Sequence, residues 1–185
     1  MIKVWTPKKF ADDRGFFTQV WQNSVNRIPG TFVQMNMSVS KKGTIRGLHL
    51  QTTPPMGKAM WVASGAAIIY AVQCRPEGDA QNKQGDVVAC RIQANDPRVF
   101  YADAGYARGF IALEDNTVVC YATTSEYNGL GEHGFNPFSA GIDYPRPDEF
   151  GLEDYVVSEK DRYAITFEEW KQSKMFLDID WRNVE

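Results

Sequence analysis

The chain has 185 residues, with 20 lysines and arginines against 23 aspartates and glutamates and a net charge of −3. Length fits one domain, residues 1–185, and the slight negative charge excludes a general field for nucleic acid. No apolar run approaches the roughly 18–20 residues of a membrane helix, and the N-terminus lacks the charged-then-apolar pattern of a leader. Cys74, Cys90 and Cys120 are odd in number and lack metal-type spacing. They are expected to be reduced thiols in a cytoplasmic protein.

Met1 to Trp5 reads as a strand. A polar turn at Asp12-Asp13-Arg14-Gly15 then precedes an aromatic strand from Phe16-Phe17 through Gln19-Val20-Trp21. Asn23 to Gly30 is a loop or short helix, stopped by Pro29-Gly30. Thr31 to Ser40 alternates: Phe32, Gln34, Asn36, Ser38 and Ser40 share one face, and Val33, Met35, Met37 and Val39 the other. Two readings fit, a barrel wall around a polar ligand and an edge strand with a solvated face.

Gly43 to Gln51 alternates again and carries one of only two histidines. Period two places Arg46 and Leu48 on one side, and Ile45, Gly47 and His49 on the other. Strands are further expected over Lys58 to Ala63, Gly65 to Val72, Asp86 to Ile92, Arg98 to Ala102, Gly105 to Leu113 and Thr117 to Thr124. Many short strands between turns predict a mostly β chain, an antiparallel barrel or jelly roll. Near the C-terminus, Ser158-Glu159-Lys160-Asp161 resembles a helix start. Thr166 followed by Glu169 fits a capping box for a helix to about Met175.

With only His49 and His133 available, a metal site of two histidines and a carboxylate would need both. No metal is expected. Neither type of Gly-rich phosphate loop occurs, nor a Gly-x-Ser-x-Gly elbow, and no local signature supports a Cys-His pair. What remains is metal-free acid–base chemistry, with His49 as base, a carboxylate to orient it, and a Tyr or Lys as acid or electrophile.

Several stretches then converge on one family. Asp13-Arg14-Gly15-Phe16-Phe17, Gln34 to Ser40, Arg46-Gly47-Leu48-His49-Leu50-Gln51, and Lys58 with its apolar strand occur in order. Gly105-Tyr106-Ala107-Arg108-Gly109-Phe110, Tyr121 through Tyr127, Glu132-His133-Gly134 and Ser158-Glu159-Lys160-Asp161 complete the set. The chain resembles the dTDP-4-dehydrorhamnose 3,5-epimerase (RmlC-like) sugar epimerases. The resemblance implies a metal-free cupin jelly roll, a double-stranded β-helix with short helices near the C-terminus, that needs no cofactor. It also implies a homodimer formed by exchanging strands. The implied reaction inverts carbon 3, carbon 5 or both of a nucleoside-diphospho-4-keto-6-deoxyhexose, in a deoxysugar pathway feeding a surface polysaccharide or a secondary metabolite.

By resemblance, His49 is the base and Asp161 orients it. Tyr127 returns the proton from the opposite face, and Lys58 lies near the developing enolate oxygen. Arg14 and Arg46 form the diphosphate clamp. Phe16, Gln19, Gln34, Asn36, Gln51 and Arg108 are further substrate-binding candidates, and His133 is structural. Alternatives of the same fold are a ketoisomerase and a non-catalytic sugar-nucleotide-binding cupin. Two departures stand out. Arg108 replaces the motif's His with a permanent cation, which makes single-centre epimerisation an alternative to inversion at both carbons. Gln19 replaces a common Glu; its amide donates as well as accepts, so a CDP-sugar is expected to be tolerated or preferred.

Overall fold

The computed structural model describes residues 1–184. Twelve strands dominate: β1 Ile2–Trp5, β2 Lys9–Asp12, β3 Gly15–Thr18, β4 Gln34–Ser40, β5 Ile45–Gln51, β6 Lys58–Ser64, β7 Ala66–Gln73, β8 Val87–Gln93, β9 Val99–Ala102, β10 Tyr106–Ala112, β11 Thr117–Thr123 and β12 Glu132–Gly134. Two five-stranded antiparallel sheets form, in the orders β1-β9-β6-β11-β4 and β12-β5-β10-β7-β8, with β2 and β3 as a separate hairpin. This is the expected jelly roll. No helix among the described residues is long and apolar enough to cross a membrane.

The continuous apolar run of β7 is explained by burial on both faces. Ala67, Ile69 and Ala71 pack with Phe100, Phe110 and Val119 between the sheets. Tyr70 and Val72 face the opposite way, toward Phe135, Phe167 and Trp170 from the C-terminal third. Three short helices follow: α1 Glu159–Arg162, α2 Phe167–Gln172 and α3 Lys174–Leu177. The single helix expected to reach Met175 is therefore two. Ser173 adopts ψ 151° and accepts from the Phe176 N–H, so it ends one helix while capping the next. The capping box of Thr166 and Glu169 is present.

Other expectations shift by a residue or more. β3 ends at Thr18 rather than running to Trp21, β4 begins at Gln34 rather than Thr31, and β12 has no counterpart in the periodicity reading. β4 is an edge strand, and its sides carry an unusual assignment. Gln34, Asn36 and Ser38 point inward, half-buried, while Met35 and Met37 are 70% and 68% exposed. The greasy side of this edge faces out.

Candidate active site

A cavity of about 470 Å³ opens between the two sheets. β5 supplies Arg46 and His49 to its wall, β6 supplies Lys58 and Met60, β10 supplies Arg108 and Phe110, and β11 supplies Tyr121. Period two would send Arg46 and His49 to opposite faces. The pairing of β5 with β10 shows why both reach one cavity: Arg108 lies opposite His49, and Phe110 opposite Arg46, so two residues of β5, Gly47 and Leu48, stand against the single Gly109 of β10. The extra residue is a β-bulge at Gly47-Leu48, and such bulges re-aim side chains. Gly47 has φ +111°, and a Cβ there would lie 2.6 Å from the Arg108 carbonyl oxygen, so only glycine permits the close approach.

His49 Nε2 lies 2.7 Å from Asp161 Oδ1. The two residues are far apart in sequence. They meet because Ile45 N–H donates to Val156 O and Val156 N–H donates to Gly43 O, pinning the C-terminal segment beside the start of β5. Ser158 then caps α1 and accepts from the Asp161 N–H. Burial opposes the Asp161 charge, but hydrogen bonds from His49, Ser158 and the Gly47 backbone, with the His49 charge, hold its carboxyl below the usual range. A carboxylate on Nε2 makes that nitrogen the donor and leaves Nδ1 with the free lone pair. His49 is thus built to accept a proton at Nδ1.

Tyr121 is half-buried on the cavity wall, with burial the main cause that raises its phenol pKa, so it is a neutral donor at pH 7. The Lys58 ammonium lies 5.5 Å from the Tyr121 ring centroid. Arg46 donates from Nε to Ser40 Oγ at 3.0 Å and from Nη2 to the Val39 carbonyl at 3.2 Å. Arg108 is buried, and its Nη1 donates to the carbonyls of Met56, Ala102 and Asp103 at 2.8, 3.2 and 3.0 Å. Among the described residues, none of Arg46, Lys58 and Arg108 is ion-paired. Asp161 is the one carboxylate in the lining, and His49 occupies it. The cavity therefore suits an anionic ligand. No group of three or more His, Cys, Asp and Glu side chains among the described residues is placed to hold a metal ion.

Other sequence candidates lie elsewhere. Tyr127 is 59% exposed in the loop after β11, and its Oη donates to Glu132 Oε2 at 3.3 Å; it is not on the cavity wall. Gln51 is buried, donating to the Pro54 and Glu126 carbonyls and accepting from the Asn128 N–H, so it staples the loop around Tyr127. Gln34 Nε2 donates to Asn36 Oδ1 at 2.9 Å and its Oε1 accepts from the Tyr127 N–H, so this pair holds the same loop. Arg14, Phe16 and Gln19 lie on or just after the β2–β3 hairpin, all exposed, with Arg14 paired to Asp12 at 2.6 Å. None of them lines the cavity within one chain. His133 is buried, 2.8 Å from Thr52 Oγ1 and packed edge-on against Trp170. Tyr121, which the motif reading held only as the start of the tyrosine segment and gave no role, is the tyrosine on the cavity wall. Period two along Thr117–Thr123 would have found it, because it shares a side with the buried Val119.

The family model for dTDP-4-dehydrorhamnose 3,5-epimerase matches residues 2–169. A curated relative, the dTDP-4-dehydrorhamnose 3,5-epimerase of Methanothermobacter thermautotrophicus, is 33% identical over 161 residues, covering 84% of each chain. The solved rmlC epimerase of Mycobacterium tuberculosis superposes with a TM-score of 0.84 at 28% identity, over 94% of this chain and 88% of its own. A Legionella pneumophila structure, described as RmlC in complex with dTDP-4-keto-L-rhamnose, gives 0.80 at 29% identity, over 90% and 88% of the two chains. The chain belongs to the dTDP-4-dehydrorhamnose 3,5-epimerase family of isomerases.

Proposed function

We propose that this enzyme inverts carbon 3, carbon 5 or both of a nucleoside-diphospho-4-keto-6-deoxyhexose, without a metal. The observation that carries the reading is His49, oriented by Asp161, sharing one cavity with Tyr121 and Lys58. A ketone at carbon 4 acidifies the neighbouring C–H bonds. His49 Nδ1 takes the proton, the electron pair moves to the carbonyl oxygen, and Lys58 stabilises the charge there. Tyr121 returns a proton to the opposite face, in place of the Tyr127 expected from sequence. Arg46, at the cavity rim, is the diphosphate-binding side chain, as a planar guanidinium suits.

The working unit is a homodimer in this reading. Two features support it: the outward apolar side of β4, and the β2–β3 hairpin, whose Arg14 and Phe16 lie outside the His49 cavity of their own chain. A second copy covering β4 would receive that hairpin at its own cavity. The three cysteines are free, as suits the cytoplasm.

The test is proton exchange in D2O, followed by NMR at carbons 3 and 5, with dTDP- and CDP-4-keto-6-deoxyglucose in separate runs. Deuterium at both carbons makes this a 3,5-epimerase, and deuterium at one makes it a single-centre enzyme. The faster nucleotide decides between dTDP, which the relatives' names carry, and CDP, which the Gln19 amide favours. No exchange from either, with folded dimer, overturns the proposal.

A further inference from the structure

Lys58 and Arg108 are two cations of one cavity wall, neither of them ion-paired among the described residues: Arg108 Nη1 holds the carbonyls of Met56, two residues before Lys58, and of Ala102, which lies opposite Lys58 in the pairing of β6 with β9. Lys58 begins β6 and Arg108 sits in β10; both line the cavity. Three carbonyls grip Arg108 Nη1, while its Nε and Nη2 are buried without partners. These two nitrogens are covered, so Arg108 acts on a bound ligand through its neighbours rather than by a contact of its own. The Tyr121 ring from β11 lies against the Lys58 amine, and the charges of Arg108 from β10 and Glu132 from β12 act on it, with His49, Asp161 and Arg46 on the same cavity wall. Of Tyr121, Arg108 and Glu132, Glu132 is the one that carries a negative charge at neutral pH. It is already bonded at Oε2 by Lys160 Nζ at 3.2 Å and by Tyr127 Oη.

We propose that Arg108 is a positioning residue acting through Lys58: its fixed, buried charge makes the Lys58 side chain a proton-transfer group at the ketone oxygen instead of a permanent ammonium. The proposal rests on the function given above. Burial, then the Arg108 charge, lower the Lys58 pKa to about 7, against the opposing pull of Glu132. An acid whose pKa lies near the working pH gives and regains a proton with least loss. As His49 removes the carbon-bound proton, the electron pair moves to the carbonyl oxygen, and Lys58 gives that oxygen its proton. A neutral enol and a neutral amine result. When Tyr121 protonates the carbon, the carbonyl re-forms and the enol proton returns to Lys58. His49 and Tyr121 then exchange protons with solvent to close the cycle. The motif's His at this position would supply such a fixed charge only when protonated, so Arg108 gives this chain a permanent setting of the amine.

The test does not need turnover. Amine acylation by acetic anhydride, read by mass spectrometry on the peptide containing Lys58, is followed from pH 5 to 11, with Lys58→Arg confirming the assignment. Half-reaction is expected near pH 7 for Lys58, against about 10.4 for ordinary lysines. In Arg108→Gln, which keeps donors for the carbonyls, the midpoint is expected to rise by about one unit or more, lowering reactivity at pH 7 about fivefold or more. Arg108→Lys keeps the charge and is expected to keep the low midpoint. It also serves if Arg108→Gln does not fold. A wild-type midpoint in the ordinary lysine range, or an unchanged midpoint in Arg108→Gln, overturns the proposal. The falling limb of the pH profile for deuterium uptake should shift upward with the same variant, and a fixed limb would remove the proton-transfer role. A low midpoint that rises in Arg108→Gln, with no deuterium uptake from any nucleotide-linked ketosugar, would leave the coupling standing and remove only the proposed function.

Discussion

Gly134 lies opposite His49 in the pairing of β12 with β5, and a Cβ at Gly134 would come within 2.8 Å of His49 Cδ2. The contact is with the ring that Asp161 holds and that is proposed as the base, not with a flexible chain end. Gly134→Ala is expected to tilt the imidazole off Asp161. A misplacement near 1 Å costs on the order of 100-fold in rate. Deuterium uptake should fall by about that factor, while the melting temperature moves by only a few degrees. Full activity with an unchanged His49–Asp161 distance in a crystal structure would show that the ring has room.

Asp161→Asn tests the tautomer. An amide can donate to His49 Nε2, which places the ring proton on Nδ1 and removes the lone pair assigned as base. A loss of about 100- to 10,000-fold in kcat is expected, by the logic of an orienting carboxylate. Stability carries a second signature. The Asp161 carboxyl has a lowered pKa in the folded state. Its contribution is full above the unfolded value of about 3.9 and is lost as pH falls through the folded value. The melting-temperature gap between wild type and Asp161→Asn should therefore be widest near neutral pH and shrink below about pH 4. A gap that stays constant down to the lowest accessible pH would contradict this assignment.

Tyr121 and Tyr127 separate cleanly. Tyr121→Phe keeps the base and removes the acid, so substrate should still exchange its proton with D2O while little inverted product forms, a loss of about 100-fold or more. Tyr127→Phe removes one exposed hydrogen bond to Glu132 and should stay within a few-fold of wild type. The reverse ranking would return the acid role to Tyr127.

That pair also marks where the sequence was legible. Val119, Tyr121 and Thr123 alternate within one strand, so their shared side follows from period two alone. Tyr127 lies beyond the strand, where periodicity carries no information and only the order of motifs pointed to it. The strands over β5, β7 and β10 were readable because burial on one or both faces enforces an apolar pattern. The joint presence of Arg46 and His49 in one cavity was not, because a bulge depends on pairing with β10 that no local pattern encodes. Gln34, Asn36 and Gln51 carry the polar character of ligand-binding residues, yet Gln34 and Gln51 hold the loop around Tyr127 and Asn36 accepts from Gln34. Which polar side chains satisfy one another is a property of the folded chain. The Asp161 partner came only through the family resemblance, since nothing in the spacing from His49 requires contact.

β4 supplies the last prediction. Its outward side chains Met35, Met37 and Val39 are 70%, 68% and 53% exposed, Val33 just before the strand is 56% exposed, and they follow one another along an unpaired sheet edge. Such an edge is an invitation to pairing unless it is covered. Cys120 lies beside Met37 in the register of β11 with β4, so the apolar surface continues inward from the edge. Met37→Glu places a charge at the middle of this face and should leave the monomer's own core untouched. If two copies meet here, sedimentation should show a dimer for wild type and a monomer for Met37→Glu at micromolar concentration. Activity should fall with the dimer, because Arg14 and Phe16 would no longer reach a partner's cavity. Arg14→Ala in the intact dimer should then raise KM by about tenfold or more, the scale of a lost charge-assisted contact. A Met37→Glu protein that remains dimeric and active would place the interface elsewhere and leave the exposed face of β4 without a partner.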